Sequence, residues 1–390
     1  MLGRPGVSAV LVVFVVLRIP LAAAPLLLTL HVALELDLGF AKSGLVAAAM
    51  AAGTAIGAPL AGTAVDRFGL RAVMVVTTAA EALFWGTAQH VPYPVLPPLA
   101  LVGGLLAIPA FSLSRQCLAA MLPASELQTG YALDSMMFEI AYAIGPPIAV
   151  LLFTTVGREV AFPAVTVIML LGGVALTVLN PPVRPPRTDP EVWTKTDGRW
   201  WTRHTVGLMI VTTGATLALL GMDAAITAQL RDLDQTRMLS VVIAVSCAAS
   251  LAGGFVYGLL SKPIAPWLLL VVMSAAVALI ACAHSWIVIV VLAIPSAACC
   301  APLLAAAAEA LSRQVPDGVR GRAMGLQSSS LTLGGGAGAA LAGVVVDRWS
   351  PNMGLLVVGG VGVALGLLGA LFTRSAPAGL DDSPSGLGLT

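Results

Sequence analysis

Residues 62–71 read Gly62-Thr63-Ala64-Val65-Asp66-Arg67-Phe68-Gly69-Leu70-Arg71 and join two long apolar stretches. Three charges and two glycines in so short a run mark a polar turn. Gly62 and Gly69 permit close packing and a sharp reversal of the chain. A charged turn of this kind between two apolar runs marks the place where a multi-span chain leaves the bilayer and returns to it. The reading of the rest of the chain starts from this turn.

The composition fits that reading. Apolar residues make up 58% of the chain and charged residues 10%, against about 25% charged in soluble domains. The net charge is +1, so no basic excess points to nucleic acid. A helix needs about 20 apolar residues to cross the hydrocarbon core. Twelve segments meet that need, near 8–34, 43–65, 72–90, 95–121, 127–156, 160–180, 205–230, 236–260, 265–283, 285–312, 320–346 and 352–374. They are too long for barrel strands, so an all-α membrane protein with twelve transmembrane helices is predicted.

Lys and Arg in the loops set the orientation. With the N-terminus inside, the cytoplasmic set is Arg4, Arg67, Arg71, Arg115, Arg184, Arg187, Lys195, Arg199, Arg203, Lys262, Arg313, Arg320, Arg322 and Arg374. The external set is Lys42, Arg158, Arg231, Arg237 and Arg348. Fourteen against five places both termini in the cytoplasm, and the chain in the inner or plasma membrane. The first apolar stretch is too long for a cleavable leader and reads as a span. The five cysteines fall within spans, with no metal-ligand or paired spacing, and read as packing residues.

Residues 181–204 break the apolar pattern with five prolines, alternating charges and Trp193, Trp200 and Trp201. They read as a cytoplasmic linker between a six-helix bundle at 1–180 and another at 205–374. The Gly/Ser/Pro-rich stretch 375–390 reads as a disordered tail. The halves echo each other. Leu106-Ala107-Ile108-Pro109 recurs as Leu292-Ala293-Ile294-Pro295. Gly130, Ala132, Gly145 and Ala149 recur as Gly321, Ala323, Gly336 and Ala340, at a constant offset. Gly62-x-x-x-Asp66-Arg67 recurs as Gly343-x-x-x-Asp347-Arg348 on the other membrane side. Nested repeats fit a transporter whose substrate site lies between the halves near the midplane.

The pattern Gly-x-x-x-Asp-Arg-x-Gly-x-Arg at 62–71, placed after the second span, resembles the loop signature of the major facilitator superfamily of secondary transporters. The runs Pro316–Gly338 and Leu122–Pro147 resemble the eleventh span of that superfamily and the fifth span of its bacterial efflux members. The resemblance covers nearly the whole chain. It implies two pseudo-symmetric six-helix bundles working by alternating access, as a monomer, on a small-molecule substrate coupled to protons. It also implies a gating role for Gly62, Asp66, Arg67, Gly69 and Arg71, with Asp66 near a helix N-terminus of the other half, where a carboxylate is favoured by the dipole. There are departures. The loop near Ser261-Lys262 lacks the Asp-Arg pair, and the fourth span does not begin with the arginine motif of many drug/proton antiporters, which counts against proton-driven drug export. The linker also lacks the Pro-Glu-Ser-Pro-Arg motif of sugar porters.

Intramembrane charges mark functional sites by default. Arg18 and Glu139 lie at similar depths, roughly 15 and 18–20 Å from the same end. They are predicted to form an ion pair facing the central cavity, either coupling protonation to substrate movement or holding the bundle together. Tyr142 is placed in the same cavity, and Gln327 is a polar contact from the eleventh span. Asp134, about 140° around the helix from Glu139, lines up instead with Phe138, Tyr142 and Gly145. Glu81 is placed at the bundle periphery and Asp223 near the outer end of its span. Gly53 and Gly57 in the second span, and Gly334 and Gly338 in the eleventh, are spaced for close helix approach; the resemblance places them where the halves meet.

No Gly-x-x-x-x-Gly-Lys-Ser/Thr loop, His-Glu-x-x-His or Gly-x-Ser-x-Gly occurs, and the four histidines are scattered near span ends. The chain is read as a non-enzyme without cofactor or metal. The expected function is proton-coupled efflux of small amphipathic or cationic compounds. Import of a nutrient or metabolite, and a non-transporting sensor or scaffold, are the alternatives.

Overall fold

The computed structural model describes residues 6–184 and 200–373, apart from the side chains of residues 40, 41, 236 and 317. The first half comprises α1 (Val7–Leu30), α2 (Gly39–Phe68), α3 (Leu70–Ala88), α4 (Leu96–Leu105), α5 (Ala110–Met121), α6 (Leu127–Thr155) and α7 (Arg158–Leu179). The second half comprises α8 (Arg203–Asp232), α9 (Leu239–Leu259), α10 (Pro266–Ile280), α11 (Trp286–Ala298), α12 (Cys300–Gln314), α13 (Arg320–Arg348) and α14 (Pro351–Thr373). Helices α4 and α5 together make the fourth span, and α11 and α12 the tenth. Twelve spans result, and each lies within a few residues of its predicted segment. Ten are long and apolar enough to cross a bilayer by length and composition. The others are α3, which carries Arg71 and Glu81, and α10, only 15 residues long. Most of the interdomain linker (185–199) and the predicted tail lie outside the described residues.

The fourth and tenth spans are both broken in the turn before a proline, Pro109 in the one and Pro302 in the other. Proline supplies no N–H and collides with the preceding turn. The fourth span stops being helical after Leu105 and restarts at Ala110, just past Pro109. The tenth carries Pro295 inside α11 and breaks at Cys299. Glu81 repairs the first break. Its carboxylate accepts from the Ile108 N–H (3.3 Å) and from the Trp85 indole (2.6 Å), so its burial has a structural reason.

The repeat extends to the packing. Within the first half α1 packs on α6 and α7, α2 on α4, and α3 on α7. Within the second α8 packs on α13 and α14, α9 on α11, and α10 on α14. Each pair in one list is the counterpart of a pair in the other. Between the halves α2 meets α13 as α6 meets α9, and α5 meets α13 as α12 meets α6.

The glycine spacing corrects one expectation. A Cβ on Gly53 or Gly57 would collide with the backbone of Leu101 or Leu105 in α4. One on Gly334 or Gly338 would meet Thr213 or Leu217 in α8. All four therefore bring helices together inside a half rather than across the interface. The residues facing α13 are Ala58, Gly62 and Asp66, and Gly321 and Gly325 face back. Gly62 follows Gly57 by five residues, about 140° around the helix, so the two stripes of α2 serve different neighbours.

Candidate functional site

An even number of spans brings Gly6 and Thr373 to the same end of the molecule, here termed the terminus end. Every described hydrogen bond between the halves lies at that end or at mid-depth. Asp66, in the last turn of α2, accepts from the backbone N–H of Gly321 (3.1 Å) and of Arg322 (2.9 Å) at the start of α13. Helix N-termini have unpaired N–H groups and a positive dipole end, so a carboxylate suits them on both counts. Gly62 lies against Gly321, and Arg184 donates to the Asp66 carbonyl oxygen. Gly69 turns the chain with φ +81°. Arg67 lies over the Phe68 ring, and Arg71 donates to the Thr177 carbonyl oxygen of its own half.

The pseudo-symmetric contact, α6 on α9, is made without charge. Gln128 Nε2 donates to the carbonyl oxygens of Tyr257 (2.8 Å) and Leu260 (3.1 Å), and Thr129 Oγ1 donates to Gly258 (2.9 Å). Beside them Arg313 Nη2 reaches the Ala124 carbonyl oxygen of the other half (3.1 Å).

Mid-depth holds two charged groups built on the two faces of α6. The first is closed. Asp134 is fully buried and takes Arg18 Nη2 on Oδ1 (2.8 Å) and Arg115 Nε on Oδ2 (3.2 Å). Arg18 also donates to Ser114 Oγ and to the Asp134 carbonyl oxygen. Arg115 donates to Gln327 Oε1 across the interface (3.3 Å) and to Ser135 Oγ (3.4 Å). Its guanidinium lies 3.8 Å from the centre of the Phe111 ring, a cation–π contact. Arg18, Arg115, Asp134 and Gln327 are all less than 5% exposed.

The second group opens onto a cavity of about 230 Å³ between the halves. Glu139 and Tyr142 of α6 line it from one side, and Asp223 of α8, Cys247 of α9 and Cys300 of α12 from the other. Cys300 Sγ donates to Glu139 Oε1 (3.2 Å), a weak bond from a thiol. Among the described residues neither Glu139 nor Asp223 belongs to an ion pair. Tyr142 stacks on Phe138, and Phe138 meets Phe111 edge to face, so a row of rings joins the cavity to the buried cluster.

Several sequence expectations change. Arg18 pairs with Asp134 and not with Glu139: the Asp134 face of α6 is the one turned to α1, while Glu139, about 140° away, faces the second half. Gln327 and Asp134 accordingly sit in the buried cluster outside the cavity lining, and Glu139 and Tyr142 line the cavity. Arg115, a loop charge by its place in the sequence, lies inside α5 and is fully buried. Its distance from the end of its span, six residues or about 9 Å, was the signal available. Asp223 lies within α8, nine residues before its end at Asp232, and lines the cavity. Nothing in the sequence pattern singled out Gln128, Thr129 or Cys300.

Two interlocked six-span bundles with a polar site between them define the class: a membrane transporter fold. The sequence matches the profile of the Major Facilitator Superfamily over residues 9–283 and 238–387, and the chain belongs to that superfamily. No curated protein matches it. Among solved structures it is similar to the human organic anion transporter MFSD10 (TETRAN), with 16% identity, TM-score 0.71, and coverage of 94% of this chain and 100% of that one. It is also similar to a bacterial homologue of the iron transporter ferroportin in an outward-facing state, with 12% identity, TM-score 0.75, and coverage of 94% and 99%. A third is the proton:xylose symporter XylE, with 12% identity, TM-score 0.70, and coverage of 94% and 96%. At these identities the likeness is one of fold.

Proposed function

We propose that the protein exports small amphipathic cations in exchange for protons, by alternating access, across the cell membrane. The observation that carries this is the pair of carboxylates, Glu139 and Asp223, facing one mid-depth cavity with no protein cation paired to either among the described residues. A buried charge left unpaired is costly, and either a proton or a substrate cation relieves the cost. That competition is the coupling: protons displace the cation on one side of the membrane, and the cation displaces protons on the other. Tyr142 offers a ring face to the cation, and Met222 and Ile226 offer apolar surface.

The gate fits the same cycle. The bonds of Asp66, Gln128, Thr129 and Arg313 fasten the terminus end, so this conformation gives access from the opposite end. With buried Arg115 removed from the count, thirteen basic residues against five still favour cytoplasmic termini. The cavity then faces outward, as required for release.

The test is accumulation of a fluorescent lipophilic cation in bacteria carrying wild type, Glu139→Gln or empty vector, with and without a protonophore. Lower dye in wild type alone, restored by the protonophore, is the expected result. Equal dye in all three strains sinks the export reading and redirects attention to uptake.

A further inference from the structure

The tenth span is broken where α9 touches it. Pro302 has no N–H to return to the Ala298 carbonyl oxygen, and a Cβ on Gly253 of α9 would collide with that same oxygen. One turn earlier on α9 stands Ser250, 2% exposed. Its Oγ accepts from the Ala301 N–H at the start of α12 (3.3 Å). A hydroxyl has one hydrogen and two lone pairs, so this bond leaves the O–H free to donate. It reaches both Glu139 and the Cys300 sulfur, and the carboxylate is the stronger acceptor. Cys300 gives its own hydrogen to Glu139 (3.2 Å). One carboxylate of the first half thus takes two donors from the second, and both stand at the break. The titratable groups around Glu139 are Tyr142 of its own helix, Asp223 of α8, Cys247 of α9 and Cys300 of α12. None is a cation, so these two donors are what favours its charged form. The break in the fourth span has no such connection: Glu81 takes the Ile108 N–H directly, and its other bond, from Trp85, stays in the same half.

We propose that Ser250 is a positioning residue for proton exchange: its hydroxyl holds ionised Glu139 against the start of α12, so that a proton arriving on Glu139 loosens the join between the halves at the break in the tenth span. This rests on Glu139 as the carboxylate that exchanges protons. Hydrogen bonds to an ionised acceptor are roughly twice as strong as neutral ones. A proton on Glu139 therefore weakens the Ser250 and Cys300 bonds together, while the Ala301 N–H keeps its partner. The tie between the halves is released, and the broken helix itself stays capped.

The experiment is infrared titration of the purified full-length protein in detergent, which reads the C=O stretch of a protonated carboxyl directly. The reporter is the band that Glu139→Gln removes and Asp223→Asn leaves. In Ser250→Ala the ionised form loses a donor, so the midpoint of that band is expected to move up by about one pH unit or more, the worth of one hydrogen bond to a charged group. Ser250→Thr keeps a hydroxyl and is expected to return the midpoint towards wild type. The pH profile of dye export is expected to move in step with the band. A residue that only caps Ala301 would lower the thermal midpoint of Ser250→Ala and leave the infrared midpoint where it was; that result overturns the inference. Should Ser250→Ala not fold, Ser250→Cys, close in volume and only a weak donor, is expected to shift the band in the same direction, and an unmoved band there is equally fatal. A band that shifts while the pH profile of export stays put overturns the link to the join between the halves. An infrared shift in a protein that exports no dye supports the tie from Ser250 to Glu139 and undermines the export reading. Export with an unmoved band does the reverse. A reporter band absent at every pH overturns the inference, because Glu139 then exchanges no proton.

Discussion

Asp134 and Glu139 stand five residues apart on one helix and do opposite things. Asp134 is paired: two guanidinium groups lie against its carboxylate, no solvent reaches it, and a glutamine from the other half completes the cluster. Glu139 has no cation among the described residues: it has a weak thiol bond from Cys300, a hydroxyl bond from Ser250 and a second carboxylate across the cavity. A carboxylate paired to two guanidinium groups holds the bundle together, and a carboxylate with no cation beside it is available to bind. The helix separates these roles by rotation, not by distance.

The comparison breaks most visibly at Asp134. Asp134→Asn strands two buried guanidinium groups against a neutral amide. Removing one partner of a buried pair costs on the order of 3–5 kcal/mol. The expected result is a large fall in the thermal midpoint in detergent, or loss of folded protein on expression. A variant that folds with an unchanged midpoint and loses only transport would transfer Asp134 to the working group. The reciprocal case is Glu139→Gln or Asp223→Asn. Each is expected to cut transport at least about tenfold, the scale of losing one charge-assisted interaction, with a thermal midpoint close to wild type. A collapse in stability instead would make Glu139 a second keystone.

The two fastenings of the terminus end extend the comparison at smaller amplitude. Asp66→Ala removes two charge-assisted bonds, each worth about 1.5–3 kcal/mol, while Gln128→Ala removes neutral ones worth about 1 kcal/mol each. Labelling of a single cysteine introduced at the terminus end is expected to rise more for the first. Equal effects would show that the charge on Asp66 contributes nothing beyond contact. Smallest of all is the glycine contrast. Gly57→Ala pushes a methyl into the Leu105 backbone and is expected to lower stability, whereas Gly336→Ala meets nothing within 4 Å and is expected to be neutral. Unfolding curves of the two variants decide it.

The span pattern was legible because hydrophobic length is a one-dimensional property. Asp66 was legible for a related reason: its turn carries a local signature. The partners of Arg18 were not. Depth along a helix can be counted from sequence, and the angle between Asp134 and Glu139 can be calculated, but which face meets α1 is decided by packing among six helices. Arg115 shows the same limit from another side. A count of basic residues assigns charges near span ends to loops, and only the packed structure shows the carboxylate that draws this one inward. The glycines of α2 were correctly read as sites of close approach. Their partner was misassigned because two stripes of small residues, 140° apart, look alike in a linear string.

The Asp66 contact has a genetic consequence. Its hydrogen bonds come from the main-chain amides of Gly321 and Arg322, which no substitution can recharge, while the Arg184 and Arg320 side chains lie near enough to feel its charge. A reversal at Asp66 cannot be compensated by a reciprocal reversal at position 321 or 322. Second-site revertants must therefore arise elsewhere, and the α6–α9 fastening around Gln128 and Thr129 is where a selection for restored closure should find them.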